Sequence, residues 1–387
     1  MSQQTLFENV QRLVLEHLTS VTQFLDDMVL IESPSRSVEA LNLIANLIAE
    51  RFHMIPGCSI NREYGPMGPH IRFQVAGSPR RVLLLGHMDT GYKLGTLAVQ
   101  PYRRDAGFIY GPGVSDMKAG LALIWGAFRI LTMLDCDIPT LDALFTPDEE
   151  AGSPTSREKI EALAHQADAV FNLEAGRPDG SVVIARKGAA HLVLTTHGKL
   201  SHGGFAIETG INAIVELSHK IIQLSALTDH TLGKTLNIGV IQGGDNTNTV
   251  PDLATARFHA GFWKLDDWNE MIDTIRAISQ RPALDGAWSE LSGELSFIPM
   301  ERTPRNQHLY ERVCRAARLL DLPAPSAVQT PGASDAGFAS LHAPTLCGMG
   351  PVGGRWHSRD EYLVESSVST RLALLIVSIL LTEDELS

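Results

Sequence analysis

Apolar runs that break off into acids or histidine recur along this chain, and they constrain its fold more than any other feature. The punctuating segments are GHMDT at 86–90, SDMKAG at 115–120, TPDEEAG at 146–152, NLEAG at 172–176 and WHSRDEY at 356–362. Four of these five follow an apolar run that reads as a buried strand. Open α/β sheets place their chemistry at strand ends. The segments offer His87, Asp116, Glu150, Glu174 and His357, two imidazoles and three carboxylates. That donor set suits two zinc-like cations sharing one carboxylate.

The spacing predicts helices over 8–29 and 38–53, strands over 71–77 and 81–87, and a long apolar helix over 117–134. Small residues in that helix (Ala119, Gly120, Ala122, Gly126, Ala127) would let it lie close against a sheet. Strands at 140–147 and 167–176 follow, with a charged helix between them. This alternation argues for an α/β sheet with covered faces. From 188 to 300 the pattern becomes strand 189–197, helix 211–227, strands 235–242 and 253–262, helix 266–280 and strand 292–299. That order is ferredoxin-like and predicts a separate α+β unit. A helix at 306–320, a short strand at 344–348 and a closing helix at 364–382 complete the chain. His357 lies beyond the small unit and the other candidate ligands lie before it. The expected organisation is therefore one domain from 1–187 and 301–387, with 188–300 inserted.

At 387 residues, the chain is long enough for two cores. Its net charge of −12 argues against nucleic acid and anionic membranes as partners. The cysteines, Cys58, Cys136, Cys314 and Cys347, form no CxxC pair, which suits reduced thiols in the cytosol. The N-terminal stretch reads as an amphipathic helix rather than a signal peptide. No run reaches the roughly 18 apolar residues of a membrane span.

Each motif has a plainer reading beside the chemical one. His87 and Asp89 stand two apart, so in an extended segment they point the same way, and a carboxylate there can fix a metal-bound ring; a surface turn is the rival. Asp116 sits before the long helix, where an acid ordinarily caps, although the preceding GPGV turn allows close backbone approach. Of Glu149 and Glu150, one can bind a metal while the other moves a proton; a solvated acidic loop is the alternative. Glu174 ends an apolar run, and a buried carboxylate needs a partner or a metal. His357 follows the glycine-rich GMGPVGGRW, and His202 lies in the glycine-flanked GKLSHGG. Either could be an incidental loop histidine. The plain readings would have to coincide five times.

With those residues placed, the chain from about residue 25 onward resembles the zinc-dependent peptidase and deacylase family. That family includes glutamate carboxypeptidase, acetylornithine deacetylase, succinyl-diaminopimelate desuccinylase and aminoacylase. Glu174, GASDAGFASL and HSRDEYL bring it nearest the glutamate-carboxypeptidase-like branch. The resemblance implies a catalytic α/β domain, with a central mixed sheet covered by helices, and an inserted lid and dimerisation domain. It implies two Zn2+ (Co2+ or Mn2+ as substitutes), one on His87 and Glu174, the other on Glu150 and His357, bridged by Asp116. Asp89 would orient His87, and Glu149 would be general base and acid. His202 would reach the partner subunit's site in a homodimer, and Asn248 would help to hold substrate. Many relatives carry an arginine at the position aligned with Gly261; here Arg257, four residues earlier, would have to substitute.

The expected function is hydrolysis of an amide in a small N-acyl amino acid or dipeptide, with a C-terminal glutamate as one candidate. The rivals are a biosynthetic deacylase or desuccinylase and a non-catalytic binding protein on the same scaffold.

Overall fold

A computed structural model describes residues 3–381. They divide into two compact units. One comprises the described residues up to Ile184, Arg302–Gln329, and those from Ser334 onward. The other comprises Ala185–Glu301 with Thr330–Ala333.

The first unit is built on a six-stranded mixed sheet. Its order is Cys58–Gly65, Gly68–Val75, Pro139–Thr146, Ser78–His87, Ala169–Asn172 and Thr345–Leu346. The last four run parallel, and the first two form an antiparallel hairpin at one edge. The parallel strands are continuous apolar runs because both faces are covered. Helices Gln3–Val29, Val38–His53, Ala119–Leu131 and Ser367–Leu380 share one apolar core with them. Phe52 of the second helix stacks on Phe73 of the sheet with ring centroids 3.8 Å apart and meets Phe145 edge-on. Gly120 lets the third helix close on the sheet: a Cβ there would lie 2.0 Å from the main-chain oxygen of Leu173. The last helix carries Leu, Ile and Val buried almost all round; residue 382 of its expected span lies outside the described residues. Cys58–Gly65 escapes the sequence pattern because it is a polar, half-exposed edge strand.

The second unit is ferredoxin-like. Its antiparallel sheet runs Thr235–Gly243, Leu253–Phe262, Gly188–His197, Trp288–Phe297. Helices Ala213–Ser225 and Leu265–Gln280 pack with it around Leu192, Leu194, Phe258, Trp268 and Ile275. Asn212 starts the first of these helices by accepting hydrogen bonds from the amides of Ile214 and Val215. The two ends of the unit meet, since the Arg186 amide donates to the Met300 carbonyl at 2.9 Å. No helix among the described residues is long and apolar enough to cross a membrane.

Candidate metal centre

Three parallel strands deliver their C-terminal ends to one place. Ser78–His87 ends on His87, Pro139–Thr146 leads into Glu149 and Glu150, and Ala169–Asn172 leads into Glu174. His87 is 2% exposed, its Nδ1 2.9 Å from the main-chain oxygen of Asp89. That contact makes Nδ1 the donor to the main chain and turns Nε2 inward. Nε2 has no hydrogen bond among the described residues, yet Asp116 Oδ1 lies at 3.4 Å and Glu174 Oε1 at 3.7 Å. On the other side of Asp116, Oδ2 lies 3.2 Å from His357 Nε2, which is 3.0 Å from Glu150 Oε1. The donor atoms thus form two trios, His87–Asp116–Glu174 and Asp116–Glu150–His357. Asp116 belongs to both and presents a different oxygen to each histidine.

These residues fit divalent cations. A buried imidazole nitrogen without a hydrogen bond faces converging carboxylates, and the nitrogen and oxygen donors are those that zinc, cobalt and manganese accept. Gly91 keeps the second trio open: a Cβ there would lie 3.3 Å from a Glu150 carboxylate oxygen and 3.4 Å from His357 Nε2. His357 adopts φ 57°, a left-handed conformation uncommon outside glycine and frequent at functional sites.

The electrostatics follow from crowding acids around two imidazoles. Asp116 and Glu150 beside His357 push its pKa up to about 10, against partial burial. Burial opposes the charged form of His87, but the nearby carboxylates of Asp116 and Asp89 and the charges of Glu149 and Glu174 hold it well above the ordinary value. Asp116 is held low because the two histidines outweigh its burial. Glu149 is raised well above the carboxylate range by burial first; the charges of Glu174, Asp335 and Glu150 add to this, and His87 opposes it. It is 9% exposed, with Oε2 4.0 Å from His87 Nε2, so it is no solvated loop acid.

Two local readings change. Asp116 does not cap the following helix, which has no side-chain cap. Asp89 was expected to orient His87 with its carboxylate, but the closer contact to the ring is its main-chain oxygen, with Oδ1 at 3.4 Å. The strand ends at His87, so strict alternation stops there. The Asp89 carboxylate instead accepts the amides of Glu149 and Glu150, each at 3.1 Å, and the Ser35 hydroxyl at 2.6 Å. It fixes the backbone that carries both glutamates.

Sequence reasoning did not single out Asp335, Tyr92 or Glu361. Asp335 is buried and accepts hydrogen bonds from Thr146 and Ser153. Burial pushes its pKa up to about 7. Glu361 stands four residues after His357 in the same HSRDEYL segment, the one signal that pointed to it.

His202, Asn248 and Arg257 lie in the second unit. His202 pairs with Thr249, and the Gly203 amide donates to the Asn248 carbonyl at 2.7 Å, so His202 and Asn248 are neighbours. Nδ1 of His202 accepts the amides of Gly204 and Phe205 at 3.0 and 3.1 Å. A neutral ring accepting at Nδ1 carries its proton on Nε2 and can donate there. Arg257 is an exposed strand residue. It shares a sheet face with Gly261, but four residues of strand separate them by about 13 Å.

The model of peptidase family M20/M25/M40 matches residues 83–380. Carboxypeptidase G2 of Pseudomonas sp. (strain RS-16) is 27% identical over 361 residues, 91% of this chain and 87% of that protein. Succinyl-diaminopimelate desuccinylase of Maricaulis maris (strain MCS10) is 26% identical over 287 residues, 69% of this chain and 71% of that protein. The solved structure of the YXEP protein of Bacillus subtilis, a dinuclear metal-binding M20 peptidase, matches with a TM-score of 0.68 at 16% identity, covering 94% of this chain and 98% of that one. That last likeness is one of fold. Because the family match runs through every strand-end segment described above, this chain belongs to peptidase family M20/M25/M40 and is a hydrolytic enzyme of the metallopeptidase class.

Proposed function

We propose that the chain hydrolyses an amide bond at a centre of two divalent cations, with zinc as the native metal. The observation that carries this reading is the pair of donor trios sharing Asp116. His87 and Glu174 would hold one ion, Glu150 and His357 the other, and Asp116 would hold both. Bound there, two cations would polarise the scissile carbonyl and make water a better nucleophile at neutral pH. Glu149 supplies the base: its buried carboxylate takes a proton from the attacking water and returns it to the leaving nitrogen. Asp89 keeps Glu149 and Glu150 in place. His202, donating from Nε2, would steady the oxyanion across a two-fold homodimer. The edge strand Thr235–Gly243, with Val240 44% and Ile241 57% exposed, supports such an assembly. Four unbridged cysteines fit the cytosol.

The substrate we favour is a small N-acyl amino acid or dipeptide cleaved in the manner of a carboxypeptidase, with a C-terminal glutamate as first candidate. The relative named carboxypeptidase G2 supports this reading. A deacylase or desuccinylase is the second reading, favoured by glycine at position 261 and by Arg257 standing about 13 Å away along its strand. Turnover of matched dipeptide and N-acyl amino acid panels, with metal analysis of the same preparation, tests both. Two ions per chain and loss of activity on chelation are expected. Active, metal-saturated enzyme with no more than one ion would overturn the dinuclear centre, and preference for acetyl or succinyl substrates would decide for the second reading.

A further inference from the structure

One buried carboxylate near the centre is engaged by neither trio. Glu361 is fully buried, and its two oxygens gather five donors. Oε1 accepts from the Ser115 amide at 2.9 Å, the Ser115 hydroxyl at 3.1 Å and the Asp116 amide at 3.0 Å. Oε2 accepts from the Gly113 amide at 3.0 Å and the Tyr92 hydroxyl at 2.6 Å. Gly113, at φ 73°, turns its amide toward the same point as those of Ser115 and Asp116, forming a nest for an anion. The nest is filled from within the chain, by a residue four positions after His357.

The origin of the donors gives this arrangement its meaning. The amides of 113, 115 and 116 belong to the segment that carries Asp116. Tyr92 lies three residues after Asp89 and five after His87, and its hydroxyl is also 2.9 Å from the Ser358 carbonyl, next to His357. Three segments far apart in sequence, each carrying a residue of the centre, therefore converge on one carboxylate. A neutral residue of the same size could not accept on both sides. An amide would turn N–H groups toward donors.

We propose that Glu361 is a positioning residue that sets the bridging carboxylate of Asp116 against His87 on one side and His357 on the other, so that both cation sites depend on it equally. This rests on the two-cation reading above. It differs from a merely structural role in one respect. Loss of the clamp should weaken both ions together, because Asp116 is shared, whereas Glu174→Gln should weaken one ion and Glu150→Gln the other. Removing such an outer partner typically costs about 10–100-fold in metal affinity.

The test is a titration of metal-depleted full-length protein with Co2+, followed by calorimetry and visible absorbance. Hydrogen exchange of the amides at 113, 115 and 116 is measured on the same samples. For Glu361→Gln, both binding steps should weaken by about 10–100-fold, and the three amides should exchange faster. Tyr92→Phe, which removes one of the five donors, should show a smaller loss at both steps. If the wild type binds two ions and Glu361→Gln binds both with unchanged affinity, or weakens only one, the inference is overturned and the two-cation reading stands. A wild type that takes up no more than one ion overturns both. Should Glu361→Gln fail to fold, Tyr92→Phe decides, since unchanged affinity and exchange in it would be equally fatal.

Discussion

Asp89→Asn separates two roles for a residue that touches both His87 and the Glu149–Glu150 backbone. An amide has the shape of the carboxylate but only one accepting oxygen. If that oxygen takes the Oδ2 position, it keeps the Glu150 amide and Ser35, and the new NH2 faces the Glu149 amide that was bonded at 3.1 Å. In the flipped rotamer the Glu150 amide is stranded instead. Either way, one buried backbone donor loses a hydrogen bond to a charged group, which costs about 1.5–3 kcal/mol. For a unit of this size each kcal/mol moves the melting midpoint by about 2–4 °C, so metal-free Asp89→Asn should melt about 3–12 °C below wild type. The displaced backbone carries Glu149, the base proposed above, and a misplacement of about 1 Å can cost about 100-fold in rate. The contact to His87 made by the Asp89 main-chain oxygen survives the substitution, so metal at the His87 trio should be largely retained. Calorimetric melting in chelator, metal analysis and kcat on the favoured substrate give the three readings. Wild-type melting in chelator, together with loss of metal from the His87 trio, would refute the reasoning and restore the carboxylate as a support for the histidine ring.

Other outcomes follow from the same geometry. Glu149→Ala should keep its metal but lose at least about 100-fold in kcat, the low end of general base catalysis; elemental analysis beside kinetics checks this, and a mutant retaining most activity would rule the role out. Co-assembled Glu149→Ala and His202→Ala chains should recover part of the activity, because each mixed dimer holds one site with both groups intact; verified heterodimers with no recovery would confine His202 to its own chain. In metal-free protein, Asp335, raised to about 7 by burial, keeps its proton to higher pH than it does unfolded, where its pKa is about 4. Its contribution to stability is therefore present below about pH 4 and is lost as pH rises through about 7. Urea midpoints across that range should fall less in Asp335→Asn than in wild type, and equal slopes would contradict the assignment.

The centre was legible because its donors sit where strands end. His87, Glu149, Glu150 and Glu174 each follow an apolar run whose burial forces the next polar group to have a purpose. The inserted unit was legible for a similar reason, since its helices and strands carry their own periodicity. What escaped depends on contacts between distant segments. Nothing in HSRDEYL says that Glu361 meets amides at 113–116, and nothing around Ser35 says that its hydroxyl meets Asp89. The Asp89 carboxylate does reach the His87 ring, at 3.4 Å, but its main-chain oxygen is nearer, and no side-chain pattern encodes that contact. Cys58–Gly65 was missed because one hairpin arm at a sheet edge can be almost wholly polar.

The meeting of Arg186 and Met300 at the neck of the second unit also bears on how the chain folds. To the rest of the protein, Ala185–Glu301 is a loop, and closing a long loop is entropically unfavourable. Once the insert has paired its own ends, that loop shrinks to a few residues. About five halvings of length, at about 0.6 kcal/mol each, relieve the host of roughly 3 kcal/mol. A module that fastens its own neck spares its host most of the entropy of closing that span, although Thr330–Ala333, from a second stretch of chain, complete it.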